Sequence, residues 1–148
     1  MLFRSAYIFE DTCFSGDVGG VRLPGPPFLR LPTPPPEFHI ESWRESIMKL
    51  KAADITRIAP THFGIFEDAA WHLNTLEQTL NDVEQWMEAT LPYIHERKIL
   101  HEPFAQWELA RCKAASLDND KLHAYSLAMP LGMDADGIWR YWDKFRAA

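Results

Sequence analysis

Two short motifs place reactive side chains directly after predicted β-strands. The first is Phe-Ser-Gly-Asp at residues 14–17, in which Asp17 lies on a turn that a glycine allows to be sharp. A carboxylate presented in this way has both oxygens available to bridge two divalent cations or to hydrogen-bond to a catalytic group. An aspartate at a turn also often caps a neighbouring backbone N–H. Taken alone, this motif leaves both interpretations open.

The second motif is Pro-Thr-His-Phe-Gly at residues 60–64, in which His62 follows a predicted strand. A neutral imidazole there can ligate a metal while a hydrogen-bond acceptor holds its other ring nitrogen. The alternative is a histidine that only hydrogen-bonds at the end of its strand. Asp17 and His62 are therefore the candidate catalytic and metal-binding residues.

A small set of strands and one helix must position these motifs. Residues 6–9 and 12–14 are apolar and aromatic on either side of an acidic dipeptide, which predicts a hairpin or two consecutive strands. Residues 24–36 hold seven of the eleven prolines and predict an ordered loop with buried apolar side chains, or else a linker. Apolar spacings of three and four residues predict a helix over 40–50, and residues 55–60 predict the strand that delivers the histidine.

The rest of the chain is predicted to be helical. Apolar residues spaced by three and four form a seam close to a heptad pattern, and Pro92 is expected to kink this helix. Further helices are predicted over 103–115, 121–129 and 136–145. The seam favours packing inside the protein, with a contact surface for another chain as the alternative. The seam residues are Ala69, Leu73, Leu76, Leu80, Val83 and Met87.

The order of these features resembles the metallo-β-lactamase superfamily of hydrolases. A strand ending in Ser-Gly-Asp is followed by a proline-rich loop, an amphipathic helix and a strand ending in Pro-Thr-His-Phe-Gly. The resemblance covers residues 5–75, and the tail near 128–130 and 136–141 resembles the helical extension of a bacterial subgroup. It implies that Asp17 bridges two metals and that His62 ligates one of them.

The resemblance also implies a fold. It is of the α/β class and represents the C-terminal half of an αββα sandwich, with a short sheet in the first sixty residues and a helix-rich region after it. Residues 1–148 are expected to form one truncated domain. Residues 5–65 would hold the strands, the loop and a helix, and residues 66–148 the helical extension.

The sequence departs from the family where most metal ligands would lie. The principal His-x-His-x-Asp-His motif is absent, because no two of the six histidines lie within two residues of each other. A further upstream histidine of the family has no counterpart. A catalytic zinc needs about three protein ligands, whereas Asp17 and His62 supply two. We therefore predict a divalent metal, with zinc as the first choice, on an incomplete ligand set, or else no metal.

The resemblance implies a hydrolase in which a metal activates water. Activated esters and phosphoesters need mainly charge stabilisation and a water, so a small-molecule substrate of this kind is expected. Half of a sandwich leaves a sheet face open, and a homodimer or a higher homo-oligomer would cover it. The alternatives are a non-catalytic oligomerising fragment and one half of a split enzyme.

Composition limits the classes of partner. The chain has 148 residues, 47% of them hydrophobic, and a formal net charge of −6, which predicts no binding to nucleic acid or to an anionic membrane. It has no apolar run of the roughly eighteen residues that a membrane span needs and no sequence typical of a signal peptide. Its two cysteines are too few for a disulfide framework, so a reduced, cytoplasmic protein is expected.

The other reactive or aromatic side chains are assigned to the fold. His72 is predicted to be a solvated helix residue, with a place beside a cleft as the alternative. Cys13 is predicted to be a small core residue. An aromatic cluster near the C-terminus is predicted to be core or interface, with ligand stacking as the lesser alternative. That cluster is Trp139, Tyr141 and Trp142, and a further candidate pocket wall consists of Tyr93, His95 and His101.

Overall fold

The computed structural model describes residues 6–36, 38–61 and 63–147. A three-stranded sheet lies in the first sixty residues and the remainder is mainly helical, which confirms the predicted α/β class and the order of its parts. The strands are β1 (Tyr7–Phe9), β2 (Thr12–Gly16) and β3 (Arg57–Pro60). The helices are α1 (Ile40–Lys51), α2 (Ala69–Thr90), α3 (His101–Ala114), α4 (Asn119–Ala128) and α5 (Leu131–Phe145).

The sheet has the order β1-β2-β3. Strands β1 and β2 are antiparallel and form the predicted hairpin, whose turn contains Glu10 with a positive φ of 54°. Strands β2 and β3 are parallel, so the proline-rich loop and α1 form the crossover that such a pair requires. The Asp11 carboxylate fixes the hairpin turn to the start of β3, because its Oδ1 accepts from Arg57 Nη2 at 2.6 Å.

The two faces of the sheet differ in part, since Ile8 on the face of Cys13 is 50% exposed and Thr12 and Ala59 on the face of Phe14 are buried. Cys13 and Ile58 are fully buried on one face, where they belong to a core cluster with Leu50 of α1 and Leu73 of α2. The assignment of Cys13 to the core is thereby confirmed. The opposite face carries aromatic side chains that remain in solvent. They are Tyr7, Phe9 and Phe14, with exposed fractions of 72%, 69% and 45%.

The proline-rich loop is ordered by burial of its apolar side chains. Phe28, Leu29 and Leu31 are all buried, as the sequence predicts. Val21 and Arg30 exchange backbone hydrogen bonds across the loop at 2.9 and 3.0 Å. These contacts close the loop onto the segment that follows the Asp17 turn.

Helix α2 buries its whole predicted seam, from Ala69 to Met87, in agreement with packing inside the protein. The expected kink at Pro92 is wrong, because the helix ends at Thr90 and Leu91–Tyr93 form a 3-10 turn. Proline has no N–H for the bond back along the helix and its ring clashes with the preceding turn. The helix therefore stops before Pro92.

The chain forms two compact units. The first contains the chain up to Leu31 together with His39–Asp82, and the second contains Pro32–Phe38 together with Val83–Ala148. In the second unit, Thr33 donates its backbone N–H to Asp134 Oδ1 at 2.9 Å. Helix α5 begins at Leu131, five residues before the predicted 136. In the part of the chain that the structure describes, no helix is long and apolar enough to cross a membrane.

Candidate functional site at the ends of β2 and β3

Asp17 occupies the turn that the sequence predicts. It is the first residue of a 3-10 turn, Asp17–Gly19, that directly follows β2, and its side chain is exposed. Its Oδ1 accepts a hydrogen bond from Thr61 Oγ1 at 2.7 Å. One oxygen of the carboxylate is thereby oriented, while Oδ2 has no hydrogen-bond partner within residues 6–36, 38–61 and 63–147.

The two sequence motifs meet at one end of the sheet. Strands β2 and β3 run in the same direction, and Gly16 is the register partner of Pro60. Carboxyl ends of adjacent parallel strands lie at the same edge, which is where α/β proteins commonly place functional side chains. His62 lies outside the described residues. Its predicted role as a ligand or base stays a prediction, and its neighbour Thr61 is the contact that links the two motifs.

Close packing fixes the Asp17 turn to the sheet. A Cβ added to Gly19 would lie 2.1 Å from the hydroxyl oxygen of Ser15, so no larger residue fits there without displacing Ser15. Ser15 itself is fully buried at the end of β2. The turn that carries Asp17 is therefore held against the end of β2.

His72 holds the same turn from the side of helix α2. Its Nε2 lies 2.7 Å from the carbonyl oxygen of Gly19, and the residue is fully buried. The prediction of a solvated histidine is therefore wrong. Because a carbonyl oxygen only accepts, Nε2 carries the proton in this arrangement and Nδ1 remains an acceptor. Burial lowers the pKa of His72, and the nearby Arg22 guanidinium acts in the same direction.

Arg22 and Asp68 complete the support of this turn. Arg22 forms a two-pronged ion pair with Asp68, with N–O distances of 2.6 and 2.9 Å, and its Nη1 lies 3.5 Å from His72 Nδ1. The guanidinium also lies over the rings of Phe66 and Trp71, at 4.2 and 4.6 Å from their centroids. This ion pair is the main cause that lowers the pKa of Asp68. We refer to Arg22, Asp68 and His72 as the turn-supporting triad.

A sequence signal for the triad exists but is easily overlooked. His72 precedes Thr79 by seven residues, and both side chains are buried. Each of them directly precedes a seam residue, Leu73 or Leu80, so this position beside the seam could have indicated burial. The partners Gly19 and Arg22 lie about fifty positions away in the chain, and no local pattern identifies them.

The described residues do not form a complete metal centre. Among residues 6–36, 38–61 and 63–147, no group of three or more His, Cys, Asp or Glu side chains is placed to hold a metal ion. Asp17 contributes one oriented carboxylate, which can ligate a divalent cation only together with donors beyond this set. His62 would be the first of them.

Comparison with protein-family models, with curated proteins and with solved structures found no match. The resemblance to the metallo-β-lactamase superfamily therefore rests on the two motifs and their order along the chain.

Proposed function

We propose that the chain is a hydrolase derived from the metallo-β-lactamase superfamily and that Asp17 and His62 form its site. The observation that carries this proposal is the hydrogen bond of 2.7 Å between Thr61 and Asp17. It joins the residue before His62 to the carboxylate of the other motif. Two motifs that lie 44 residues apart are thus adjacent at one end of a parallel strand pair.

The same proposal covers the metal. Asp17 would supply a carboxylate oxygen and His62 a ring nitrogen to a divalent cation, zinc being the first choice, with further donors from a second chain. Such an ion lowers the pKa of a bound water and polarises the substrate oxygen. The residues of this chain would orient it, since Thr61 fixes one oxygen of Asp17 and the turn-supporting triad fixes the backbone. Without a metal, His62 would act as a general base oriented by a carboxylate.

The substrate class that suits such a site is an activated ester or phosphoester of small size. These substrates have a good leaving group and need mainly charge stabilisation and an aligned water. An amide or an unactivated ester demands more from the site. Preference for an activated leaving group is thus part of the proposal.

A second copy of the chain is the proposed partner, and the open aromatic sheet face supports it. In an αββα sandwich, the sheet face opposite the helices packs on the other sheet, and here Tyr7, Phe9 and Phe14 occupy that face. A homodimer would cover these side chains. The same observation favours a second candidate function, in which a separate polypeptide supplies the other sheet and the chain is one half of a split enzyme.

The proposal is tested with purified chain, a panel of p-nitrophenyl esters and phosphoesters, and added Zn²⁺ or Mn²⁺. Asp17→Asn keeps an oxygen that can accept from Thr61 but removes the charge, so its loss of activity would report the carboxylate itself. His62→Gln tests the second residue, and Asp54→Asn, at an exposed position of the same unit, is the matched control. We expect metal-dependent hydrolysis that the two site variants lose at least about tenfold.

Two results would count against this assignment. Hydrolysis that persists in both a chelator and His62→Gln would place the chemistry elsewhere. No hydrolysis by a stable dimer with any metal would favour the non-catalytic or split-enzyme alternative, which is then examined by adding a lysate fraction and measuring the mass of the complex.

A further inference from the structure

A cleft in the second compact unit has features of a binding site that are independent of the hydrolase proposal. Its volume is about 480 Å³, within the range of small-molecule sites. Its lining includes Leu91 just after helix α2, His95, and Trp139, Trp142 and Asp143 on helix α5. The sequence marks this region as an aromatic cluster near a candidate pocket wall.

Trp139 and Trp142 differ from other aromatic residues of the unit in their ring contacts. Trp86, Phe104 and Trp107 lie against one another, with ring centroids 5.4 to 5.9 Å apart. Within residues 63–147, by contrast, the indole of neither Trp139 nor Trp142 has a ring partner or a hydrogen bond. Both are only partly buried. Their ring surfaces are therefore available to a ligand in the cleft.

The charge around the cleft favours a cation. Arg146 is the one arginine or lysine of its lining in the described chain, beside the titratable His95, and Glu84 and Glu88 engage the guanidinium at 2.6 and 3.5 Å. Because the Arg146 guanidinium is paired with these glutamates, it does not neutralise the Asp143 carboxylate, which leaves a negative charge in the lining of the cleft. These four groups together carry two more negative charges than positive ones.

One helix end adds to this negative potential. Helix α2 ends at Thr90 without a basic residue in its last turn, and the cleft is lined by the residues that follow. The carboxyl ends of helices carry partial negative charge and stabilise nearby cations.

We propose that this cleft binds a small organic cation, such as a quaternary or protonated amine, between the rings of Trp139 and Trp142. Tryptophan faces attract cations through the ring quadrupole, and quaternary ammonium groups are recognised by aromatic walls of this kind. Asp143 supplies the counter-charge at the rim. An anionic ligand would meet this carboxylate and the carboxyl end of α2, and a neutral ligand would gain nothing from them.

The test compares choline with 3,3-dimethylbutan-1-ol, which has nearly the same shape but no charge. Indole N–H signals of the ¹⁵N-labelled full chain are followed by NMR at constant ionic strength and assigned with Trp139→Phe and Trp142→Phe. We expect saturable shifts of these two indole signals with choline, at lower concentrations than with the alcohol. The alcohol should bind about 2- to 30-fold more weakly, which is the contribution of a cation–π contact.

Asp143→Asn is the charge variant, and Asp120→Asn, on the exposed surface of helix α4, is its matched control. Asp143→Asn should weaken choline binding severalfold while Asp120→Asn leaves it unchanged. Equal binding of the alcohol, shifts confined to the other four indoles, or no saturable shift at all would each overturn the proposal. Since Asp143 is exposed, its variant should fold even if Trp142→Phe does not.

Discussion

At the scale of single residues, the turn-supporting triad connects a buried charge to the candidate site. Arg22 has a side-chain exposure of only 9%, and its charge is compensated by Asp68. A buried charge requires such a partner, because removing water from it costs several kcal/mol. Burial lowers the pKa of His72, and the same guanidinium beside Nδ1 acts in that direction. The triad therefore holds the Gly19 carbonyl in place and contributes to keeping the imidazole neutral.

The buried His72 predicts a dependence of stability on pH. Its pKa is lower in the folded protein than in the unfolded chain, so the unfolded chain binds more protons below the ordinary histidine pKa of about 6.5. The free energy of unfolding should then fall with decreasing pH by at most about 1.4 kcal/mol per pH unit from this group. Urea denaturation from pH 7.5 to 5.5 measures it.

Two variants isolate this effect. His72→Gln retains an N–H donor for the Gly19 carbonyl but does not titrate, so its stability should depend less on pH than that of the wild type. His123→Gln, at an exposed position of helix α4, should keep the wild-type slope. The same slope in all three proteins would show that His72 does not carry the effect.

The environment of a single residue can be predicted from the sequence only where neighbouring residues determine it. Asp17 follows a strand and precedes glycines, and its place on a turn is correctly predicted. The burial of His72 depends on Gly19 and Arg22, which are distant in sequence. Interactions between residues so far apart in the sequence produce no periodic pattern that could predict them.

At the scale of elements, the packing of helix α5 on the proline-rich segment depends on one glycine. A Cβ at Gly137 would lie 1.7 Å from the Thr33 carbonyl oxygen and 2.8 Å from Pro34 backbone carbon. Backbone atoms cannot move aside as a flexible side chain can. Gly137→Ala should therefore destabilise the second unit by about 1–3 kcal/mol or more.

The matched control lies on the same helix. A Cβ at Gly132 would meet only the His101 ring, at an ordinary distance of 3.6 Å. Gly132→Ala should stabilise the protein by up to about 1 kcal/mol, because alanine favours helix more than glycine does. Thermal or urea denaturation compares the two. If both alanines shift stability in the same direction, the close approach at Gly137 does not control the packing.

Elements with strong periodicity are predicted well, whereas their ends are not. Helices α1 and α2 follow apolar spacings of three and four, and their buried faces match the prediction. The end of α2 at Thr90 and the start of α5 at Leu131 depend on prolines 92 and 130. Proline blocks the helix that would continue into it, whereas Pro130 is the extended N-cap of α5, where a backbone N–H has no partner within the helix.

At the scale of the whole molecule, the open aromatic face predicts self-association. Tyr7 and Phe9 are more than two-thirds exposed on an edge strand, and exposed apolar surface of this kind usually marks an interface. Under the homodimer proposal, the mass in solution should be about twice the 17.1 kDa of one chain. Light scattering or sedimentation measures it at several concentrations.

Charged substitutions distinguish this face from the rest of the surface. Tyr7→Lys with Phe9→Lys should shift the protein to monomer without loss of helical circular dichroism. Leu127→Lys, at a position of helix α4 that is 70% exposed, should not. A wild-type monomer at micromolar concentration, or an oligomer that resists the double substitution, would contradict the dimer proposal.

The α/β fold class follows from the order of the predicted strands and helices, but the division of the chain into two compact units does not. Residues 32–38 belong to the second unit, where Thr33 contacts Asp134 across 101 positions. Nothing about a threonine or an aspartate in the sequence predicts such a contact. Only the folded chain relates the proline-rich segment to the C-terminal helix.

The two cysteines allow the opening of each compact unit to be measured separately. Cys13 is fully buried in the first unit and Cys112 is 95% buried in the second, and neither forms a disulfide. A thiol reagent reaches such a side chain only when the surrounding structure opens, and burial raises the pKa of Cys13, which slows its reaction further. Digestion and mass spectrometry after timed alkylation would therefore give two separate opening rates from one unmodified protein.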